Sequence, residues 1–257
     1  MDDVNAGEHH YTKNGVSTFL QQKETRLVHA EECQHIFETV SENATQIGTV
    51  VNPSKTHLLC IAPVSSAEVS SYIETNEGRI PSAPAMTLLG FSFSNRPTMA
   101  AHVELIKKKV NCRIWLLRHL KQAGISPLEI AKIYCSVIRP VIEYAAPIYH
   151  WMLTGGQSDE IEKLQRRAMK IIFGYKVAYS AALENCDCSR LDTRRKEISI
   201  KFAEKTAANG SFAHWFPLHD PYNHNIRRQM RYDEERANTD RLLKSSLFSM
   251  RRLLNQL

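Results

Sequence analysis

Apolar residues recur at helical spacing along residues 24–47. Val28, Ile36, Val40 and Ile47 share a face with Ala30, Cys33, Phe37 and Ala44, and Gly48 stands where a helix C-cap is expected. The 22 residues before this helix are irregular by pattern, holding Asn5, Gly7, Asn14 and Gly15 and few apolar positions. After Gly48 the period changes. Residues 50–56 read as a turn, 57–61 as a short buried strand, 71–73 as a weak strand and 87–93 as a third. Gly78, Pro81 and Pro84 break the gap between the last two. In the third strand Leu89, Phe91 and Phe93 alternate around Gly90 and Ser92, the pattern of a half-buried strand.

From residue 98 the pattern is one of long helices. Val103, Ile106, Val110, Ile114, Leu117 and Leu120 line one face of residues 99–122. Ser126, Pro127 and Glu129 form an N-cap, first-turn proline and capping-box set that opens a helix toward Arg139, where Pro140 is expected to kink it. Ser158 is placed to cap a helix running to Phe173 and stopped by Gly174. Further helices are expected at 178–186, 191–209 and 239–256, with a loop around Trp215-Phe216-Pro217 before the last. Trp115, Trp151, Trp215, Tyr134, Tyr144 and Tyr149 fall inside apolar faces and are expected in the core. The fold class is α+β, mostly α, in two sections, 1–97 and 98–257.

Charge sharpens this division. Residues 1–97 carry 6 Lys/Arg and 11 Asp/Glu, a net −5, whereas residues 98–257 carry 27 and 16, a net +11. A basic section joined to an acidic one suggests a polyanionic partner, and a solvated basic surface accounts for the charge alone equally well. No run of 18 apolar residues occurs and the N-terminus lacks a signal-peptide pattern, so the expectation is an intracellular protein of cytoplasm or nucleus that does not span a membrane. Six dispersed cysteines suit free thiols in a reducing compartment. The single close pair, Cys186 and Cys188, is a poor zinc signal.

Five segments, in order, resemble reverse transcriptases of jockey-like non-long-terminal-repeat retrotransposons. Met1-Asp2-Asp3 is similar to the end of the polymerase motif Y-x-D-D. Val51-Asn52-Pro53-Ser54-Lys55-Thr56 is similar to N-P-x-K-T, and Leu88-Leu89-Gly90-Phe91-Ser92-Phe93 to the primer-grip strand L-G-x-x-[FIL]. Residues 115–121 and 134–145 resemble the thumb pattern L-R-x-L-K, then Y-x-x-x-I-R-P-V-L-E-Y-A. Residues 161–172 resemble I-E-x-[IL]-Q-[RK]-x-A-L-R-I-I. The last two segments are long and specific, whereas an Asp-Asp pair alone carries no weight.

The resemblance implies a partial palm over 1–97, a helical thumb and C-terminal region over 98–257, and a parent activity of RNA-directed DNA polymerisation. It implies Asp2 and Asp3 as magnesium ligands in a two-metal site, and Lys55 as a catalytic cation beside the nucleotide phosphates. Leu89, Gly90 and Phe91 are implied as primer grip. Lys107, Lys108, Arg118, Lys121, Arg166, Arg167 and Lys170 are implied as contacts to an RNA template–DNA primer duplex. Plain structural readings stand beside these: solvated acids for the aspartates, a turn for Lys55, solvated helix faces for the basic residues. The family's fingers and upstream palm strand, with its further carboxylate, have no counterpart in this sequence. The expectation is therefore a fragment that binds nucleic acid and does not polymerise alone. The alternative is a non-catalytic helical nucleic-acid-binding or assembly module derived from such an element.

Overall fold

A computed structural model describes residues 19–61, 72–95, 98–219, 231–234 and 239–256, with side chains from residue 31 onward except 240 and 241. The described chain is mostly helical with two small two-stranded sheets. It divides into two compact units, 1–86 with 94–96, and 87–93 with 97–257.

In the first unit, helix α1 spans Phe19–Gln46. Residues 19–22 are thus helical rather than irregular. Leu20, Gln21, Gln22 and Lys23 are good helix formers, so propensity extends the helix where apolar periodicity is silent. Residues 1–18 lie outside the described residues. Strands β1 (Tyr72–Thr75) and β2 (Gly78–Pro81) pair antiparallel with Ile73 opposite Ile80. Both isoleucines are buried with Leu58, and Cys33 and Phe37 of α1 pack against them. Gln34 fastens α1 to β1 by a reciprocal amide pair: its Nε2 donates to the Glu74 carbonyl at 3.1 Å, and the Glu74 N–H donates to its Oε1 at 2.8 Å.

Two strand expectations fail, one in each unit. Residues 57–61 form no strand; Leu58 makes one isolated parallel bridge, to Ser82. Pro81 and Pro84 flank that partner and offer no N–H, so the ladder cannot extend. Residues 87–93 are not one strand but the end of a hairpin, β3 (Ala85–Leu88) and β4 (Phe91–Ser94). Its two turn residues, Leu89 and Gly90, both have positive φ, 49° and 78°. That is the geometry of a type I′ turn, which matches the twist of the strands it joins. The apolar alternation runs straight through a turn that Gly90 makes possible.

The second unit is built on helix α2, Ala100–Gln122, whose Val103, Ile106, Val110, Ile114 and Leu117 are buried as the pattern predicts. Ser126 caps α3 (Pro127–Ile133) in a complete capping box with Glu129. The kink expected at Pro140 takes the form of a π-helical turn over Tyr134–Ile138, ahead of α4 (Arg139–Glu143). Pro140 has no N–H for the carbonyl four residues back and its ring crowds that carbonyl, so the preceding turn widens. The Arg139 N–H reaches five residues back, to Tyr134. After a short α5 (Ala146–Tyr149), helix α6 runs from Gly155 to Phe173.

Its cap is Thr154, reciprocally bonded with Gln157, and not Ser158. Thr-Gly-Gly-Gln is a capping box whose glycines hide the helix start. Ser158 lies one turn inside, where its Oγ accepts from Arg195 at 2.8 Å. Helices α7 (Tyr179–Asn185) and α8 (Leu191–Ala207) follow as expected. The helix expected over 239–256 is broken into α9 (Asp240–Leu243) and α10 (Ser246–Leu254). The break at Ser245 lets Met250 join Ala203, Phe216 and Tyr232 in a second small core. Tyr134 and Tyr149 are fully buried, but Trp115 is 54% exposed, and Tyr144 and Trp215 are also exposed. The expectation of core for these three is corrected: Trp115 stands one position past Ile114, off the buried stripe of α2, Tyr144 lies past the end of α4, and Trp215 ends a 3-10 turn, where helical spacing does not decide burial.

Candidate nucleic-acid interface

Helices α2 and α6 lie side by side and run parallel. Lys107 of α2 pairs with Glu160 of α6 at 3.3 Å. One turn on, Arg167 donates to Asn111 at 3.0 Å. At the far end the Lys121 ammonium donates to the carbonyls of Ile171 and Ile172, at 2.6 and 3.2 Å. Those carbonyls belong to the last turn of α6, which leaves them without helical partners and at the negative end of the helix dipole.

Two of the predicted phosphate contacts are therefore spoken for by the fold. Lys107 is held by Glu104 and Glu160, and these hydrogen bonds raise its pKa. Lys121 closes the end of α6. Lys108 and Arg118 are exposed on α2. Arg118 stands seven residues beyond Asn111, on the same stripe of the helix.

On α6 the arrangement is denser. Lys163, Arg166, Arg167 and Lys170 are all exposed and follow i, i+3, i+4, i+7 spacing, so four cations share one face. With Tyr175 they line a shallow depression of about 340 Å³. The Arg166 guanidinium lies 5.3 Å from the Tyr179 ring centroid, which orients it without neutralising it. Lys163 and Tyr175 were missed by sequence reasoning, although the spacing of Lys163 from Arg166 and Arg167 was legible. Tyr175 lies past the helix end, where periodicity carries no information.

The hairpin tip is a second feature of this unit. Leu89 is 76% exposed. Its carbonyl accepts from the Tyr144 hydroxyl. A Cβ added at Gly90 would lie 3.5 Å from the Tyr144 ring and 3.8 Å from the Lys109 ammonium, so the tip sits closely against both. Phe91 is instead buried and stacks on His102 at 4.2 Å between ring centroids. Of the three predicted primer-grip residues, then, Leu89 is exposed, Gly90 sits half-buried against Tyr144 and Lys109, and Phe91 is buried.

The residues that carry the most specific part of the resemblance turn out to be structural joints. Tyr134 donates to Gln165 at 2.7 Å, and Gln165 donates to the Tyr179 hydroxyl at 3.0 Å and the Ser189 carbonyl at 2.9 Å. Glu162 accepts from the Tyr179 hydroxyl and from the Leu191 N–H. Burial drives the Tyr134 and Tyr179 hydroxyls well above the usual phenol range, so both stay protonated donors. Glu143 takes ion pairs from Arg139 at 3.1 Å and Arg194 at 3.0 Å. These groups fix α6 against the π-turn and the start of α8.

Of the remaining predicted site residues only Lys55 is described, and it belongs to the first unit. Lys55 is exposed at the end of a 3-10 turn, Pro53–Lys55, capped by the Asn52 side chain. Asp2 and Asp3 lie outside the described residues. Among the described residues no group of three or more His, Cys, Asp or Glu is placed to hold a metal ion, and no helix is long and apolar enough to cross a membrane. No protein-family model, curated protein or solved structure matches the chain.

Proposed function

We propose that the chain is the C-terminal part of a retrotransposon reverse transcriptase, and that its helical unit grips an RNA–DNA duplex through the phosphate backbone. The observation that carries the duplex reading is the row of four exposed cations on α6, Lys163, Arg166, Arg167 and Lys170, in a section of net charge +11. Rows of this kind neutralise phosphates without reading bases. The exposed Leu89 at the hairpin tip, with Lys109 close to Gly90, is compatible with contact to a primer strand. The polymerase reading rests on the sequence resemblance, and magnesium enters it through Asp2 and Asp3 alone.

The test is a salt titration of binding to an RNA–DNA duplex by the full chain. With about six phosphate contacts, log affinity falls against log salt with a slope on the order of −5. Replacing Lys163, Arg166, Arg167 and Lys170 by Ala should flatten that slope by about 3 on every duplex sequence alike. A charge-matched variant lacking Lys132, Lys196, Lys201 and Lys205, all exposed elsewhere on the unit, should keep most of it. Circular dichroism serves as the folding control. Equal slopes for the two variants would leave the α6 row a solvated face and overturn the reading.

A further inference from the structure

The π-turn brings Cys135 against the segment that joins α7 to α8. Its Sγ lies 3.4 Å from the Sγ of Cys188, a residue 53 positions away in the chain. Cys135, Cys186 and Cys188 are free thiols. A disulfide needs an S–S distance of about 2.05 Å, so the two sulfurs have little more than an ångström to close. Cys188 is 9% exposed, yet it lines an open depression of about 400 Å³ with Tyr179, Ser180, Leu183 and Arg190, which gives a small oxidant a route to its sulfur. The Arg139 guanidinium stands 3.9 Å from the same sulfur.

We propose that Cys188 and Cys135 are a peroxide-sensitive thiol pair, Cys188 the attacking sulfur and Cys135 the resolving one. The Cys188 thiolate attacks one oxygen of a hydroperoxide. The O–O bond breaks, the departing oxygen takes a proton from solvent, and Cys188 becomes a sulfenic acid. The Cys135 thiol then attacks the Cys188 sulfur. An S–S bond forms, the S–O bond breaks, and water leaves with the Cys135 proton. The sulfur pair loses two electrons and the peroxide gains them.

The division of roles follows from the surroundings. The hydrogen bond shared with Cys135, with the Arg139 guanidinium 3.9 Å from the sulfur, lowers the Cys188 thiol, whereas that same shared bond, with burial, raises that of Cys135. Cys186, two residues away, also shares a hydrogen bond with the Cys188 thiol, while its Sγ contacts the Ala182 carbonyl at 3.2 Å and the Met169 sulfur at 3.9 Å, so the linkage map must tell it apart from Cys135.

The experiment exposes the reduced full chain to hydrogen peroxide in molar excess, alkylates the remaining thiols, and maps the linkages by mass spectrometry with fragmentation between Cys186 and Cys188. Alkylation of Cys135 and Cys188 should fall together by about tenfold, a Cys135–Cys188 linkage should appear, and dithiothreitol should restore both thiols. In Cys135→Ser, Cys188 should instead be trapped by dimedone as a sulfenic acid; in Cys188→Ser, Cys135 should stay alkylatable. If either variant fails to fold, the wild-type linkage map decides alone. A dominant linkage through Cys186, or alkylation of both thiols unchanged under a dose that oxidises the exposed Cys112, overturns the proposal.

Discussion

The Lys121 ammonium on α2 donates to the Ile171 carbonyl on α6 at 2.6 Å, so a residue with the look of a phosphate contact closes the end of a neighbouring helix. A charge-assisted bond to a carbonyl in the last helical turn contributes about 1–2 kcal/mol. Lys121→Ala should therefore lower the melting temperature by about 2–5 °C and leave the salt slope of duplex binding unchanged. Calorimetry and the salt titration check the two halves separately. A flattened slope at unchanged stability would return Lys121 to the interface.

Gln165 is fully buried and ties three groups at once: the Tyr134 hydroxyl, the Tyr179 hydroxyl and the Ser189 carbonyl. Gln165→Leu keeps the volume but leaves the Tyr134 hydroxyl without its acceptor in a dry site. The expected loss is about 2–3 kcal/mol in urea unfolding. Tyr134→Phe in the same background removes the stranded hydroxyl and should recover part of it. If the double variant is the less stable of the two, the hydroxyl has another partner and the account of this joint fails.

Burial, with Lys109 nearby, lowers His102 to about 4, and burial with Arg195 lowers His150 to about 4. Both are neutral in the folded chain at pH 5, whereas in the unfolded chain each takes up a proton below its ordinary 6.5. Stability from this source is complete above pH 6.5, declines as pH falls from 6.5 to 4, and is level below that. The slope is at most about 1.4 kcal/mol per pH unit for each histidine, and less because solvent screens both. The Ser92 N–H donates to His102 Nδ1 at 3.4 Å, and the Oδ1 of an asparagine can take that place. His102→Asn should therefore lose about half of the pH dependence between 6.5 and 5, measured by urea midpoints. An unaltered pH dependence would show that His102 is charged in the folded chain.

Leu89 holds φ of 49°, a conformation that suits glycine and asparagine and costs leucine about 1 kcal/mol, and its side chain is exposed. Leu89→Asn should raise the melting temperature by about 2–3 °C, since the carbonyl that receives Tyr144 is unaffected. A fall in melting temperature would mean that the leucine side chain packs against something that outweighs its backbone strain.

How far the sequence reaches can be seen in particular residues. Ser126, Pro127 and Glu129 specified the start of α3 because a capping box is a local device, complete within four residues. The buried stripe of α2 was equally plain, since one face of one helix decides it. The hairpin at Leu89-Gly90 was not, because alternation continues through a two-residue turn without interruption. The roles of Lys107 and Lys121 were beyond reach for a different reason. Their partners, Glu160, Ile171 and Ile172, are about 50 residues away, and nothing in a helical wheel of α2 says which neighbour will lie alongside. The same holds for Cys135 and Cys188, whose proximity depends on a π-turn that Pro140 hints at only as a kink.

The parallel seam between α2 and α6 also has a kinetic meaning. Its bonds join residues 50 to 56 positions apart, so forming them means closing a long loop, whereas α6 and α7 adjoin in sequence and need only a short one. Loop-closure entropy and contact order place such a seam late in folding. The local helices and their capping boxes can form early, while the alignment of α2 with the α6 cations waits for that long-range closure. A chain released from the ribosome before α6 is made carries the charge of α2 without the second helix beside it.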